Sequence, residues 1–358
     1  MPRRKRARPT LEDIARGIGV HVSTISRALN PASTHPVSAE LTEKIARVSK
    51  RLGYRPNAAA VMLKTNRSRT IGVVVPDITD PVFPPIIRGI EDSLARHDHI
   101  AILGNTDSDP ERQRQLVETM RARGVDGLVV GSVLRHDPEF SRVAADIPVV
   151  TVSRRTDNAR FSSVVHDEDD GLARIFTHLQ SLGHRRIAAI AGPQTLSTGY
   201  NRYSSYVRHA EKLGGTSPLL VSFARSFNEA EGERCAEELL SSRQQFTAIV
   251  CANDRLAVGA IAALRSQGIQ CPRDMSVTGF NDMAFAERLS PALTTVRVQH
   301  YRAGAEAAEL MIDLIEKRTT RPRHLVLPVD LIARDSSSAA REGSLPPAIS
   351  NKTRKHAS

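Results

Sequence analysis

The chain has 358 residues, with 50 Lys plus Arg against 39 Asp plus Glu, so its formal net charge is +11. Its composition, 40% hydrophobic and 25% charged, is that of an ordinary globular protein, and no apolar run approaches the roughly 20 residues of a membrane span. The composition excludes an integral membrane protein, and the length predicts two or three domains.

The N-terminus and the cysteines narrow the class further. The basic start of the chain leads into no apolar segment or cleavage site of a secretory signal, so we expect the protein to stay in the cytoplasm. The three cysteines, Cys235, Cys251 and Cys271, have no CxxC spacing and no nearby His pair, which argues against a disulfide framework and a zinc site. We expect buried free thiols, no metal and no cofactor.

The positive charge is concentrated at the start of the chain. Residues 1–70 carry 15 Lys plus Arg and four Asp plus Glu, which accounts for the whole excess. Lys and Arg that neutralise phosphates release counterions and so drive binding to nucleic acids. The distribution favours a small N-terminal module that binds a polyanion, although a solubilising basic tail is an alternative for the arm at 1–9.

Helical periodicity begins after this arm. Thr10 starts the first helix and forms a capping-box pattern with Asp13, in which Asp replaces the usual Glu. After a glycine-containing turn, a second helical pattern runs from about 21 to 29, and a third helix starts at Ser38 and ends at Gly53. This order indicates a helix-turn-helix in a trihelical core. The periodicity assigns the inward-facing positions of the last two helices to Val20, Ile25, Leu29, Leu41, Ile45, Val48 and Leu52.

The opposite side of the second helix carries Val22, Ser23, Ser26 and Arg27 at spacings that place them on one face. Such a face fits a DNA major groove, where an arginine fork can donate to guanine O6 and N7 and a hydroxyl can contact base edges. The alternative is an ordinary solvated helix face.

Three stretches together resemble the lactose-repressor (LacI/GalR) family of bacterial transcription regulators: TLEDIARGIGVHVSTISRALN, VSAELTEKIARVSKRLGYRPNAAAVMLKT and RTIGVVVPDITDPVF. The resemblance runs from Thr10 to about Arg334. It implies a homodimer that binds a pseudo-palindromic operator on double-stranded DNA and responds to a small-molecule effector. The DNA-binding residues that the pattern and the resemblance imply are Thr10, His21, Val22, Ser23, Ser26, Arg27, Asn30, Tyr54, Asn57, Ala58 and Leu63.

Two features of the head depart from the family pattern. His21 stands where the family usually has Ser as the cap of the recognition helix, and the loop at 31–36 is about two residues longer than in most members. These departures affect which phosphates are contacted more than they affect the fold.

The segment Asn57 to Thr65 consists of strong helix formers after Pro56. A helix this short is marginal alone in water, so we expect it to form only when paired or bound. The resemblance implies a hinge helix that pairs with its dimer mate in the minor groove and inserts Leu63 between base steps. A plain interdomain linker is the alternative.

Downstream of the linker, short apolar runs alternate with helical stretches, which predicts an α/β body of doubly wound parallel sheets in two subdomains. The predicted strands are IGVVV, HIAILG, GVDGLVV, IPVVTV, RRIAAIAG, TAIVC and MSVTGF, and the later segment HLVLPVDLIAR is also strand-like. Polar residues follow these runs, and ligands of such sheets bind beyond the carboxyl ends of the strands. The polar residues are Asp77, Asn105, Ser153, Asn253, Asp254, Asn281 and Asp282, for each of which turn or helix-cap duty is the alternative.

The resemblance implies further cleft residues. Arg202 matches the arginine that reaches into the effector cleft, Asp167 or Asp170 matches another pocket position, and Phe83 can supply a stacking wall. Asn281 departs from the Asp of many relatives, which makes the pocket less acidic and leaves an acidic or modified sugar open. The expected effector-binding residues are Asp77, Phe83, Ser153, Asp167, Arg202, Phe227, Asn253 and Asn281.

These observations give a domain organisation. A basic arm at 1–9 precedes a helix-turn-helix head at 10–56, a hinge helix and linker at 57–70, and a two-lobed, periplasmic-binding-protein-like effector and dimerisation domain at 71–335. The segment 336–358 lacks apolar periodicity, so we expect a disordered tail. It has no leucine heptad, which favours a dimer over a tetramer.

Three other classes fit less well. An enzyme on such sheets would be expected to carry GxGxxG after a strand, GxxxxGK[ST], HExxH or GxSxG, and none occurs. A sugar receptor of the periplasmic type would have a secretory signal and no basic head. An architectural DNA-binding protein would not need the two-lobed body. The sequence therefore predicts a repressor that binds DNA and is controlled by a sugar or sugar derivative.

Overall fold

The computed structural model describes residues 9–29, 37–54, 67–213, 219–242, 244–319 and 321–341. The chain divides into two units, a head that ends at Ser68 and a body that begins at Arg69. The expected hinge helix at 57–65, most of the basic arm and the last 17 residues lie outside the described residues.

The described residues of the head form three helices, whose ends agree with the sequence signals. They are α1 (Leu11–Ile18), α2 (Val22–Ala28) and α3 (Ala39–Leu52). Thr10 caps α1 with both bonds of a capping box, and Gly19 ends it in the left-handed region at φ 80°, which glycine adopts without steric penalty. Ser38 caps α3. The predicted starts of the first and third helices are therefore confirmed.

The head core is small. Four residues, Ile14, Ala15, Ile25 and Ile45, are buried, and partly buried residues including Leu41, Val48 and Tyr54 pack against them.

One inward assignment was wrong. Leu52 is 39% exposed, and Ser49, four residues after the buried Ile45, is the buried residue of the last turn of α3. At 3.6 residues per turn, eleven residues make about three full turns, so Leu52 lies at nearly the same angle as Leu41. Leu52 is the last residue of α3, and its exposure follows from its place at the end of the helix and not from its angle.

The body has 12 strands and eight helices among the described residues. In chain order they are β1 (Thr70–Val75), α4 (Phe83–Arg96), β2 (Ile100–Asn105), α5 (Pro110–Ala122), β3 (Gly127–Val130), α6 (Pro138–Val143), β4 (Val149–Val152), β5 (Ser162–His166), α7 (Glu168–Ser181), β6 (Ile187–Ala191), α8 (Ser197–Lys212), β7 (Val221–Phe223), α9 (Glu229–Ser241), β8 (Ala248–Cys251), α10 (Asp254–Ser266), β9 (Ser276–Thr278), β10 (Thr295–Arg297), α11 (His300–Ile315), β11 (His324–Leu327) and β12 (Asp330–Ile332).

The first lobe is a six-stranded parallel sheet in the order β11-β5-β4-β3-β1-β2. Helices α4 and α11 cover one face, and α5 and α6 cover the other, each through a separate apolar cluster. Burial on both faces explains why β1, β3 and β4 consist of consecutive apolar residues. The predicted doubly wound sheet is confirmed.

The second lobe is a four-stranded parallel sheet in the order β7-β6-β8-β9, with α9 and α10 on one face and α7 and α8 on the other. The antiparallel pair of β10 and β12 lies beside it. The chain passes between the lobes three times, after β5, after β10 and between β11 and β12. Three crossovers form the connection between two sheets that share one cleft.

The periodicity did not find three short strands. β5 contains two serines and a histidine among its five residues, and β7 and β10 have only three residues each. Strands this short are recognised by their place in the sheet and not by a local run of apolar side chains.

The predicted start of the tail was too early. Ser336 is fully buried, its Oγ donates to the Val277 carbonyl at 2.6 Å, and its backbone N–H donates to Ala292. The Ser336 hydroxyl gives the Val277 carbonyl a hydrogen-bond donor. The segment around Ser336 therefore packs against the lobe although serine has little apolar surface. The described chain follows the second lobe as far as Arg341.

Candidate functional site

The second helix of the head exposes side chains that are expected to contact DNA bases. α2 begins after His21, whose Nδ1 accepts the backbone N–H of Ser23 at 3.2 Å and lies 2.8 Å from the Ser23 Oγ. Histidine therefore performs the N-cap role that Ser, Thr, Asp and Asn usually fill. Ile25 is buried, Ser26 is half-buried, and Ser23 and Arg27 are exposed.

Arg27 and Val22, both expected on this face, also contact other residues of the head. The Arg27 Nε donates to the Ser23 carbonyl at 3.2 Å, and its guanidinium lies 3.5 Å from the Thr24 hydroxyl. These contacts are exposed, so the side chain can exchange them for a base edge. Val22, expected on the outer face, is half-buried and packs against the head core.

The other described DNA-binding candidates lie at helix ends. Thr10 donates to the Asp13 carboxylate from its backbone N–H at 2.8 Å and from its hydroxyl at 2.9 Å, which lowers the pKa of Asp13. Tyr54 packs against the head core, and burial raises its pKa. The candidates outside the described residues are Asn30, Asn57, Ala58 and Leu63.

The body has a cavity between its lobes, with about 370 Å³ of space that is partly open to solvent. The lining residues are Asp80, Val82, Phe83, Ser153, Arg154, Thr198, Arg202, Phe227, Asn253 and Asn281. Six of the eight expected effector-binding residues are in this lining: Phe83, Ser153, Arg202, Phe227, Asn253 and Asn281.

Four lining residues were not predicted: Asp80, Val82, Arg154 and Thr198. Asp80 and Val82 immediately precede α4, and Thr198 lies in the first turn of α8. Because α4 follows β1 and α8 follows β6, both helices start at the carboxyl edge of a sheet. A search of helix starts as well as strand ends would have found three of the four.

Arg202 lies at the back of the cleft and is buried. Its Nε donates to the Glu168 carboxylate at 3.1 Å, Nη1 donates to the Ala252 carbonyl at 2.6 Å, and Nη2 lies 3.4 Å from the Asn281 Oδ1. The guanidinium stacks on Phe280 at 3.9 Å from the ring centroid. Burial raises the pKa of Glu168 and lowers that of Arg202, and their attraction opposes both shifts.

Two cleft residues have backbone conformations that are unfavourable for side chains other than glycine. Ser153 has φ 64°, and Asn281 has φ 122°. The Ser153 N–H donates to Val164, and the Asn281 N–H donates to Val296, so neighbouring strands hold both turns. Strain of this kind is concentrated at functional sites, and here it turns the chain at the strand ends where the polar side chains meet.

Two expected effector residues are outside the lining. The Asp77 carboxylate accepts the N–H and hydroxyl of Thr79 in its own turn, and these bonds lower its pKa. Asp167 caps α7 by accepting the Asp170 N–H at 3.0 Å, and Asp170 pairs with Arg174. Both acids satisfy local backbone donors, which is the alternative that the sequence left open.

Asp254 is also structural. Its carboxylate accepts the Met283 N–H at 2.7 Å and the Thr295 hydroxyl at 2.5 Å, and burial raises its pKa to about 6. Asp282 forms ion pairs of 2.7 Å with both Arg297 and Arg334. These acids hold the segment that carries Asn281 in place.

Two histidines lie at two of the crossovers. His166 ends β5 and His300 begins α11, with their ring centroids 6.0 Å apart. Among the described residues, His166 Nε2 and both ring nitrogens of His300 have no well-aligned hydrogen bond, although backbone groups of Gln299 and Asn281 act on the two rings and oppose the lowering of their pKa values. Burial lowers the pKa of His166 to about 3 and that of His300 to about 4, and the nearby positive charge of Arg202 acts in the same direction.

Neither a metal centre nor a membrane span is found in the described part of the chain. No group of three or more His, Cys, Asp or Glu side chains there could hold a metal ion. None of its helices is long and apolar enough to cross a bilayer.

Comparisons with known proteins match both units. Residues 10–57 match the family described as bacterial regulatory proteins, lacI family, and 176–337 match the periplasmic binding protein-like domain. The HTH-type transcriptional regulator RegA of Clostridium saccharobutylicum is 32% identical over 330 residues, which cover 92% of this chain and 99% of RegA.

Two solved structures extend the match. A lac repressor dimer bound to operator and the anti-inducer ONPF has a TM-score of 0.82 at 25% identity, covering 93% of this chain and all of that one. A complex of the transcriptional regulator CelR with cellobiose has a TM-score of 0.71 at 30% identity, covering 92% and 100%.

A trihelical head with an exposed helix face, followed in the chain by two lobes around a cleft, defines a DNA-binding transcriptional regulator with an effector-binding domain. The chain belongs to the LacI family of bacterial regulators, and it is not an enzyme.

Proposed function

We propose that the protein is a homodimeric repressor that binds a pseudo-palindromic operator, and that a sugar or sugar derivative in the interlobe cleft controls its affinity for DNA. The observation that carries this proposal is the combination, in one chain, of an exposed helix face that carries Arg27 and a cleft lined from two lobes. Binding to chromosomal DNA would place the protein in the bacterial cytoplasm.

The reading of bases is assigned to Ser23, Ser26 and Arg27 on α2. The buried Ile25 fixes the rotation of this helix, so Ser23 and Arg27 occupy the opposite side and the half-buried Ser26 lies at its edge. Arg27 would donate to a guanine, whereas the hydroxyls would contact bases or phosphates.

The edge of the first lobe supports association of two copies. β2 is an edge strand that pairs only with β1, and Ile100, Ile102 and Leu103 on it are 63%, 41% and 44% exposed. An apolar edge strand of this kind is normally covered. A second copy of the chain is the occupant that we propose, because the matched lac repressor is a dimer on its operator.

The character of the cleft supports a sugar or a related metabolite. Phe83 and Phe227 supply apolar walls, while Ser153, Asn253 and Asn281 supply hydroxyl and amide groups that fit a polyol. CelR, matched over most of its length, is named with cellobiose bound.

The coupling between cleft and operator is assigned to the segment 57–65. Its sequence makes a marginal helix, so pairing with a second copy on DNA would order it, and effector binding would change how closely the two copies approach. Operator-dependent protection of amides 58 to 64 from hydrogen exchange is the expected result. Unchanged exchange at these amides on operator binding would contradict the hinge mechanism.

The first experiment is to incubate the purified protein with sheared DNA from its source genome at moderate salt and to sequence the retained fragments. We expect enriched fragments that share one pseudo-palindrome, whose neighbouring genes would nominate the effector. Even retention of all sequences, falling steeply with salt, would point to an architectural protein or to a regulator that needs a corepressor absent from the assay. The Arg27→Ala variant is the control, because it should lower enrichment of the same fragments without removing general DNA retention.

A further inference from the structure

The two arginines of the cleft differ in how their donors are used. Each nitrogen of the Arg202 guanidinium already has an acceptor, supplied by Glu168, Ala252 and Asn281. Arg202 is thus held in place by the protein and neutralised by a buried carboxylate 3.1 Å away. It contributes shape and two spare N–H groups, but little uncompensated charge.

Arg154 has the opposite character. It lines the same cavity, is no more than partly exposed, and its side chain has neither a hydrogen bond nor a salt bridge within the described part of the chain. The left-handed conformation of Ser153 separates Arg154 from the strand that precedes it. Burial lowers the pKa of Arg154 to about 10, so its guanidinium is still charged at neutral pH.

The nearest acidic group does not pair with Arg154. Asp80 is the sole carboxylate in the described cavity lining, and its Oδ1 accepts the Val82 N–H at 3.1 Å. Among basic side chains, Arg255 acts on Asp80 more strongly than Arg154 does, and Arg255 is itself paired with Glu229 at 2.7 Å. Asp80 attracts Arg154 and opposes the lowering of the Arg154 pKa, but no salt bridge joins the two side chains within the described part of the chain.

The rest of the wall around this guanidinium is neutral or electropositive. Ser153, Asn253 and Asn281 supply neutral polar groups. Thr198 lies in the first turn of α8, a helix whose start is capped by no side chain and whose N-terminal end carries partial positive charge. These features add to the field of Arg154 and would not by themselves make a site.

We infer that the effector carries an anionic group, a carboxylate or a phosphate, which Arg154 binds as a bidentate partner. The ligand class is thus a sugar acid or a sugar phosphate, and a neutral sugar would leave the guanidinium unsatisfied. This inference rests on the proposed function, because it assumes that the cleft is the effector site.

The test compares ligands that differ only in the anionic group. Calorimetric titration of the full-length protein, which has no tryptophan for fluorescence, would use glucose, gluconate and glucose 6-phosphate, then ribose, ribonate and ribose 5-phosphate, at constant ionic strength. Inorganic phosphate is the minimal probe, measured by its effect on the melting temperature of the body.

Three variants separate charge from geometry. Arg154→Gln removes the charge from a side chain that makes no hydrogen bond or salt bridge to the described residues, so the variant should fold. Arg154→Lys keeps the charge and removes the fork. Arg155→Gln is the matched control, because it removes the same charge from the exposed neighbouring side chain.

The expected result is that one acid or phosphate binds the wild type about tenfold or more tightly than its neutral parent. Arg154→Gln should abolish this preference, Arg154→Lys should retain part of it, and Arg155→Gln should leave it intact. Inorganic phosphate should raise the melting temperature of the body in the wild type more than in Arg154→Gln.

Other outcomes would overturn the inference. Neutral parents that bind as tightly as their acids, or an Arg154→Gln variant that weakens both equally, would show that Arg154 binds hydroxyl groups, and the proposed function would stand. A phosphate effect that is identical in wild type and Arg154→Gln would exclude an anion site in the cleft. Operator retention, measured on the same preparations, tests the proposed function separately.

Discussion

The head and the cleft present polar side chains in different ways. In the head, the proposed base-contacting residues lie within two turns of α2, and one buried residue, Ile25, sets their direction. In the cleft, the lining residues come from positions 80 to 281 and converge only because two sheets place their carboxyl ends at one gap. A local helical spacing therefore predicts the first set, whereas the second set depends on the whole topology.

This difference has an energetic consequence. The head depends on four buried residues, and a core of this size supplies at most about 3–5 kcal/mol of stability. The body has four larger apolar clusters and buries charged groups between them. We therefore expect a destabilising substitution in the head core to unfold the head. A substitution in the cleft should instead destabilise the body by leaving a buried charge without its partner.

The largest effect is expected for Arg202→Ala. Removing this guanidinium leaves Glu168 buried without its partner, which costs about 3–5 kcal/mol of the free energy of unfolding of the body. The measurement is the thermal transition of the body by scanning calorimetry, together with loss of any effector response.

The control for Arg202→Ala lies on the same helix. Arg208 pairs with Asp169 at an exposed site, so Arg208→Ala should change stability by no more than about 1 kcal/mol. The combined change Arg202→Met with Glu168→Gln should recover part of the loss. Equal effects of Arg202→Ala and Arg208→Ala would contradict the buried-pair interpretation.

The next largest effect is expected for Ile25→Ala in the head. Truncating a fully buried isoleucine costs about 2–5 kcal/mol, which is comparable with the whole stability of such a core. Operator binding should be lost while the calorimetric transition of the body is unchanged. Ile249→Ala, in a core cluster of the second lobe, should lower the transition temperature of the body and leave that of the head unchanged. A single shared transition in both variants would refute independent folding of the two units.

The sequence predicted the head more completely than the cleft, and the reason lies in particular residues. Thr10, His21 and Ser38 precede their helices directly, so caps and helix starts could be predicted from adjacent positions. Leu52 was misplaced because it has the right angle for the inner stripe but is the last residue of α3, where it is exposed. The family relationship and the fold class were confirmed, since they rest on long patterns.

In the cleft, the rule that polar residues follow strands found Ser153 but not Arg154. Arg154 and Arg155 form a charged pair in the sequence, which is typical of a solvated turn. Both follow the left-handed backbone at Ser153, but Arg154 lines the cavity and Arg155 is exposed. Asp77 was included by the same rule and Asp167 by the family resemblance, but both bind backbone donors of their own turns. Whether a polar residue after a strand lines the cleft or caps its own turn depends on the tertiary structure, which the local sequence does not show.

Two buried histidines should make the stability of the body depend on pH. Burial lowers the pKa of His166 to about 3 and of His300 to about 4, against 6.5 in the unfolded chain. Between the folded and the unfolded pKa, the unfolded state binds more protons than the folded state. The stability that each neutral histidine contributes to the body is therefore present in full above pH 6.5. It is lost as the pH falls toward 4 for His300 and toward 3 for His166. The slope approaches about 1.4 kcal/mol per pH unit for each histidine.

The variant His300→Phe isolates this effect. It keeps a ring and removes the titrating group, so its stability should fall less steeply than that of the wild type between pH 6.5 and pH 4. Asp254, with its pKa raised to about 6, gives a slope of opposite sign in part of this range, so the difference between the two proteins is the quantity to measure. Parallel stability curves would contradict a buried, neutral His300.

A smaller effect is expected for Arg27→Ala. Loss of one bidentate base contact should cost about 1–3 kcal/mol of operator affinity and relax specificity at one base pair. Arg16→Ala is the matched control, since Arg16 is an exposed arginine on α1. Binding measured against operators with each base pair substituted would show the relaxed position. A uniform loss of affinity across all sequences would mean that Arg27 contacts only phosphate.

The smallest effect is expected for Thr10→Ala. This change removes the hydroxyl that accepts the Asp13 N–H and donates to the Asp13 carboxylate, and loss of such a cap costs about 1 kcal/mol of helix stability. Because the head has so little stability to spare, even this amount should increase the unfolded fraction of the head measurably, while the body transition stays unchanged. Thr10→Ser keeps the hydroxyl and should behave as wild type. If Thr10→Ala lowers operator affinity without changing head stability, Thr10 contacts a phosphate directly, and its place among the DNA-binding residues would rest on that contact and not on the cap.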